Sequence, residues 1–130
     1  TRSLFMLWES VYPARDKNSI VSYLTLKASS LTYKDENNNT LGFPAVEIAE
    51  LAVSKDYARQ GFGRDSVEIA ITKANDLRKI IGIQYLILCA DPMAVDFYLH
   101  IGFEKINFKN IPREEWNKTC VPMAKKIVIY

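Results

Sequence analysis

The sequence predicts an α/β domain with a mixed, mostly antiparallel sheet flanked by helices. Three observations predict it. Val46–Asp65 (VEIAELAVSKDYARQGFGRD) runs from an apolar strand through a polar turn and a Gly-x-Gly pair into a helical pattern. The helix that follows opens directly into a near-continuous apolar strand, Ile83–Ala90, of the kind buried on both faces. Short strands bounded by turn-forming clusters lie on either side of this unit. Strand, helix and apolar strand in succession imply parallel pairing through a right-handed crossover.

The elements follow in order. Ser3–Glu9 is mostly apolar and Ser19–Lys27 alternates, and Pro13–Asn18 breaks the pattern between them, which predicts an antiparallel hairpin. Leu31–Lys34 prolongs the second strand. Asp35–Thr40 (DENNNT) is a polar loop with no packing reason to be ordered. Val46–Val53 is the next strand. Arg64–Ile81 is the strongest helix: Val67, Ala70, Ile71, Ala74, Leu77 and Ile81 keep the i, i+3, i+4 rule, while Glu68, Lys73, Asp76 and Lys79 face away. Gly82 stands where a helix C-terminal glycine belongs. Asp91-Pro92 starts a second helix, with a capping aspartate and a first-turn proline, and Gly102 ends it. Phe103–Phe108 is a strand, Pro112–Lys118 a short helix and Val121–Ile129 a last strand.

Composition bounds the function. The 130 residues suit one domain, 1–130, with 48% hydrophobic and 25% charged residues. The apolar runs are too short for a transmembrane helix, and the N-terminus is not a signal peptide. A net charge of +2 does not argue for nucleic acid. Cys89 and Cys120 fall inside strands, which favours free thiols in a reducing cytoplasm over a disulfide. With one histidine and no His/Cys cluster, no metal site is expected. His100, near a helix end, has a surface or capping role.

The Gly61-Phe62-Gly63 turn can hold a phosphate, since backbone N–H groups and the helix dipole both favour an anion there. A dinucleotide-binding fold needs a third glycine or alanine, and Ser66 stands at that place. The preceding strand also carries Glu47 and Glu50 where that fold has apolar residues.

Taken together, LAVSKDY followed by ARQGFGRD, the next strand YLILCA, and AVDFYLHIGFEKI resemble the acetyl-CoA-binding core of the GNAT superfamily of N-acetyltransferases. The last segment is similar to the family's A-x-x-FY-x-x-x-GF. The resemblance covers Ile20 to about Ile106. It implies a GNAT-like acyl-CoA N-acyltransferase fold, with the N-terminal strand and helices absent or shortened because the chain starts at the hairpin. It places acetyl-CoA, the cosubstrate, against Leu51, Ala52 and Val53 on the strand, against Arg59, Gln60, Gly61, Phe62, Gly63 and Arg64 in the turn, and against Asp91. Two positions depart from the family pattern: Ala58 stands for a Gln or Arg, and Asp91 for a frequent Asn. The implied reaction moves an acetyl group to a primary amine by direct attack in a ternary complex. Tyr98 is the implied acid for the leaving thiolate, and Glu47, Glu50 or a water relay the base. The acceptor is a small-molecule or peptide amine.

Two alternatives share the resemblance. One is a GNAT-type toxin acetylating aminoacyl-tRNA, the single case in which nucleic acid is expected. The other is a CoA-binding module without transferase activity. Exposed hairpin edges seek pairing, which makes a homodimer an expected arrangement. The expected location is cytoplasmic, without membrane partners.

Overall fold

The computed structural model describes residues 22–106 and 119–127. The expected strand Ser3–Glu9, the turn after it, and the short helix Pro112–Lys118 lie outside these residues. The described chain forms five strands and two helices: β1 (Ser22–Lys34), β2 (Thr40–Val53), α1 (Phe62–Arg78), β3 (Tyr85–Ala90), α2 (Val95–Ile101), β4 (Glu104–Lys105) and β5 (Val121–Lys126). The sheet order is β1-β2-β3-β5-β4. Only β2 and β3 run parallel; the other neighbours are antiparallel. This is the mixed, mostly antiparallel α/β arrangement that the sequence predicts.

β1 and β2 form a long hairpin, so β2 begins six residues before its expected start at Val46. The turn between them is ordered after all. Asp35 Oδ1 accepts from the backbone N–H of Asn37 at 2.9 Å and of Asn39 at 2.8 Å, and Asn38 takes a left-handed φ of 64°. A single carboxylate organises the loop through local hydrogen bonds, without any packing.

α1 packs its apolar stripe on one sheet face. Val67, Ala70 and Ala74 join Leu24, Leu26, Val46, Ile48, Leu86 and Leu88 in one core cluster. Ser66, fully buried, donates its hydroxyl to the Phe62 carbonyl at 2.9 Å and lies 3.2 Å from Ser22 Oγ. The helix stops at Arg78, before Ile81, which is 53% exposed. Lys79 closes it in right-handed geometry, and Gly82 is not among the positive-φ glycines. The guanidinium of Arg78 donates to the Ile83 carbonyl at 2.6 Å and so holds the following loop without a glycine cap. At α2 the expected caps are present. Asp91 Oδ1 accepts from Met93 N–H at 2.9 Å over a short 3-10 turn, and Gly102 ends the helix with φ 105°.

The two cysteines are joined: Cys89 and Cys120 form a disulfide with Cα atoms 5.4 Å apart. This corrects the expectation of free thiols. Antiparallel pairing sets Ala90 opposite Val121, which brings the residue before β5 beside the end of β3. That contact depends on strand order, which a separation of 31 residues in sequence does not reveal.

Candidate active site

β2 and β3 pair over only three residues each, Ala45–Glu47 against Tyr85–Ile87. Beyond that point β2 stays with β1 and β3 stays with β5, so the two strands part. The gap is a cleft of about 410 Å³, walled by Ile48, Ala49, Glu50 and Leu51 on one side and by Leu88, Cys89, Ala90 and Asp91 on the other. Tyr23 from β1, and Ala94 and Tyr98 from the α2 region, complete the lining. A strand edge left unpaired in this way offers backbone donors and acceptors to an extended ligand.

One irregularity orients the acidic residues. Thr25 pairs with Glu50, but the next residue, Leu26, pairs with Ile48, leaving Ala49 as a bulge. The extra residue shifts the alternation. Glu47, opposite Lys27, and Glu50, opposite Thr25, therefore share the sheet face that lies away from α1. They have different surroundings. Glu47 is buried; its Oε1 accepts from Ser29 Oγ at 3.1 Å and its Oε2 lies 3.4 Å from Lys27 Nζ. It does not line the cleft. Glu50 is exposed and does line it.

Tyr98 is 8% exposed, with its ring edge-to-face against Phe97 at 5.0 Å and Phe103 at 5.6 Å. Among the described residues its hydroxyl makes no hydrogen bond. Burial raises its pKa above the ordinary 10.0, so it stays a protonated phenol at neutral pH.

The glycine turn follows β2 after a single 3-10 turn, Lys55–Tyr57. Ala58 is extended, Arg59 takes a left-handed φ of 63°, and Gly61, the N-cap of α1, has φ 87°. No side-chain hydrogen bond caps the helix there. Around Gly61 there is nothing within 4 Å of where a Cβ would stand, and a Cβ on Gly63 would meet only Val53 Cγ2 at 3.8 Å and Phe97 Cζ at 3.9 Å. The turn is open and carries two left-handed residues at a helix N-terminus, a geometry that suits a phosphate. Arg59 and Gln60 are exposed beside it. Arg64 pairs with Glu68 at 3.5 Å on the helix surface, and Phe62 is half-buried. Leu51, Ala52 and Val53 are half-buried along the strand that joins cleft to turn.

The structure thus gathers Glu50, Leu51, Asp91 and Tyr98 at one cleft, sets the glycine turn at the end of β2, and leaves Glu47 in its ion pair. Sequence reasoning missed Tyr23. Its signal is strand parity alone: it pairs with Ala52, on the same face as Glu50. His100 is exposed, with Nδ1 2.6 Å from the Asp96 carbonyl oxygen, a local helix contact. Among the described residues no three metal-ligating side chains gather, and no helix is long and apolar enough to cross a membrane.

A family model described as an acetyltransferase (GNAT) domain matches residues 9–127, and the chain belongs to that family. No curated protein matches it in sequence. Among solved structures it is similar to a bacterial toxin, at TM-score 0.69 and 21% identity over 87% of this chain and 63% of that one. It is also similar to a mutant AtaT toxin bound to acetyl-CoA and the C-terminus of its antitoxin AtaR, at TM-score 0.65 and 19% identity over 83% of this chain and 59% of that one. A third is Tetrahymena GCN5, at TM-score 0.59 and 20% identity over 90% of this chain and 66% of that one. The chain spans about six-tenths of the length of the toxin structures it resembles. At these identities the likeness is one of fold.

Proposed function

We propose that the chain transfers an acetyl group from acetyl-CoA to a primary amine within a ternary complex. The observation that carries this reading is the cleft itself: a protonated tyrosine and a solvated carboxylate, Tyr98 and Glu50, line one gap between parted strands, and the strand forming its wall leads into a phosphate-suited turn. Acetyl-CoA would lie with its diphosphate at residues 59–64 and its pantetheine arm along Leu51–Val53. The amine nitrogen attacks the thioester carbonyl carbon, a C–N bond forms and the C–S bond breaks. Tyr98 gives its proton to the leaving thiolate. The acceptor ammonium first gives one proton to Glu50, directly or through water, and the second N–H proton, lost as the amide forms, returns to the Tyr98 phenolate. Glu47, held by Lys27 and Ser29, supports the strand in this reading. Calorimetric titration with acetyl-CoA, followed by thiol release with a panel of primary amines, tests it. Failure to bind acetyl-CoA would remove the reading; binding without release across the panel would favour a module that holds CoA but transfers nothing.

A second reading is supported by the neighbours in fold, several of which are toxins. In that case the amine belongs to aminoacyl-tRNA. A cell-free translation extract that stops only when protein and acetyl-CoA are both added would favour it.

A further inference from the structure

The disulfide stands in the wall of the cleft. Cys89 is half-buried and is part of the lining, while its partner Cys120 precedes β5, the strand on the other side of β3. The sheet order β2-β3-β5 therefore sets the cleft and Cys120 on opposite sides of Cys89. A thiolate exchanges with a disulfide by attacking one sulfur in line with the S–S bond and expelling the other. A thiolate in the cleft meets Cys89 from the β2 side, and Cys120 leaves toward β5. The depth in the cleft also matches. The last paired residues of the parting strands are Glu47 and Ile87, and Cys89 lies two residues beyond on β3, as the bulge residue Ala49 does on β2. Glu50 follows Ala49 and shares the sheet face on which Cys89 packs with Ala45 and Ile87. In the pose proposed above, the pantetheine arm runs along Leu51–Val53 toward Glu50, so its sulfur ends at this level. After acetyl transfer that sulfur is a free thiol.

Resting on that acetyl-CoA pose, we propose that Cys89 is the site of a covalent adduct with the product coenzyme A. The coenzyme A thiolate attacks Cys89 Sγ. A bond forms between these two sulfurs and the Cys89–Cys120 bond breaks. Its electron pair leaves on Cys120 Sγ, which takes up the proton that the coenzyme A thiol gave up. One disulfide replaces another, so no oxidant or reductant is consumed. The adduct fills the cleft with spent cofactor and shuts out acetyl-CoA. It is reversible from within: the Cys120 thiolate attacks Cys89 again, restores the original bond and expels coenzyme A. The chain is thus inhibited covalently when coenzyme A accumulates over its acetyl ester, which has no free thiol and cannot react.

The test incubates the unreduced full chain with coenzyme A, with acetyl-CoA, or with N-acetylcysteamine, which carries the same thiol end without the diphosphate. Intact mass is read under non-reducing conditions. Coenzyme A should add its whole mass, hydrogen included, once per chain, with the adduct mapped to Cys89 and an alkylatable thiol gained at Cys120. It should react about 100-fold faster than N-acetylcysteamine at equal concentration, since a bound thiol is held beside the sulfur it attacks. Acetyl-CoA should add nothing, and in excess it should protect Cys89. Equal rates for coenzyme A and N-acetylcysteamine, an adduct mapped to Cys120, or no adduct at all overturns the proposal. Calorimetric titration of the same preparation with acetyl-CoA separates this failure from that of the underlying reading: binding without an adduct removes the adduct alone, and no binding removes both. Cys120→Ser leaves Cys89 without a bond to exchange and should take up no coenzyme A; uptake equal to that of the wild type also overturns the proposal. The wild-type comparison decides by itself if the variant does not fold.

Discussion

At the scale of single residues, Tyr98 is the most informative group. Its hydroxyl has no partner among the described residues, so Tyr98→Phe removes an oxygen without breaking a described contact, and thermal stability should stay near that of the wild type. If the hydroxyl protonates the leaving thiolate, kcat should fall by about 100-fold or more while acetyl-CoA affinity changes little. An unchanged kcat would end the assignment. Burial raises the phenol above 10.0, so the acid form persists through neutral and mildly alkaline pH. The kcat profile should therefore show no loss below pH 10 that Tyr98→Phe abolishes. The two glutamates separate by a different measurement. Glu47→Gln weakens a buried carboxylate's bonds to Ser29 and Lys27 and should lower stability by about 1–3 kcal/mol. Glu50→Gln should leave the melting temperature nearly unchanged and lower kcat. The position of Tyr98 was legible because FY-x-x-x-GF is a recognisable segment. The relation between Glu47 and Glu50 was not, because it depends on a bulge at Ala49 that alanine does not announce.

At the scale of elements, α1 and α2 were legible from periodicity and caps, and β2 and β3 from their apolar runs. Their ends were less so. α1 stops at Arg78 because Arg78 and Lys79 supply the closing contacts, and the apolar Ile81 prolongs the pattern without prolonging the helix. The glycine turn allows a prediction of opposite signs. Gly63 lies in the first turn of α1, and a methyl there would meet only ordinary contacts at 3.8 and 3.9 Å. Gly63→Ala should thus fold at least as stably as the wild type, gaining up to about 1 kcal/mol of helix propensity. In the proposed pose the diphosphate packs on this turn, and crowding it with a methyl should lower acetyl-CoA affinity by about tenfold, the equivalent of one good phosphate contact. A short acetyl thioester lacking the diphosphate should lose nothing. Equal losses for both thioesters would move the phosphate site elsewhere. Gly61→Ala differs, because φ 87° disfavours any side chain by about 1–2 kcal/mol whatever the space around it.

At the scale of the whole molecule, the organising event is the parting of β2 from β3, which no stretch of sequence displays by itself. β2 pairs with β1 along its whole length and with β3 over three residues only, and the cleft exists because each strand keeps its outer partner. The outer partner of β3 is β5, and the Cys89–Cys120 bond ties the two together at the mouth of the gap, where Cys89 is part of the lining. This bond and the expected reducing cytoplasm pull in opposite directions, since disulfides persist mainly in oxidising compartments. The pairing closes a loop of 31 residues, a constraint on the unfolded chain worth about 3–4 kcal/mol. Reduction with dithiothreitol should therefore lower Tm by roughly 10 °C. A Cys120→Ser variant should melt at the temperature of the reduced wild type and be indifferent to the reductant. Because α2 and Tyr98 lie inside the closed loop, reduction should also loosen the wall that holds the tyrosine, and kcat should fall with the bond. A wild-type Tm indifferent to dithiothreitol, together with two thiols alkylated in the unreduced chain, would show the cysteines free in solution. The parted strands would then be held at the mouth by backbone pairing of β3 with β5 alone.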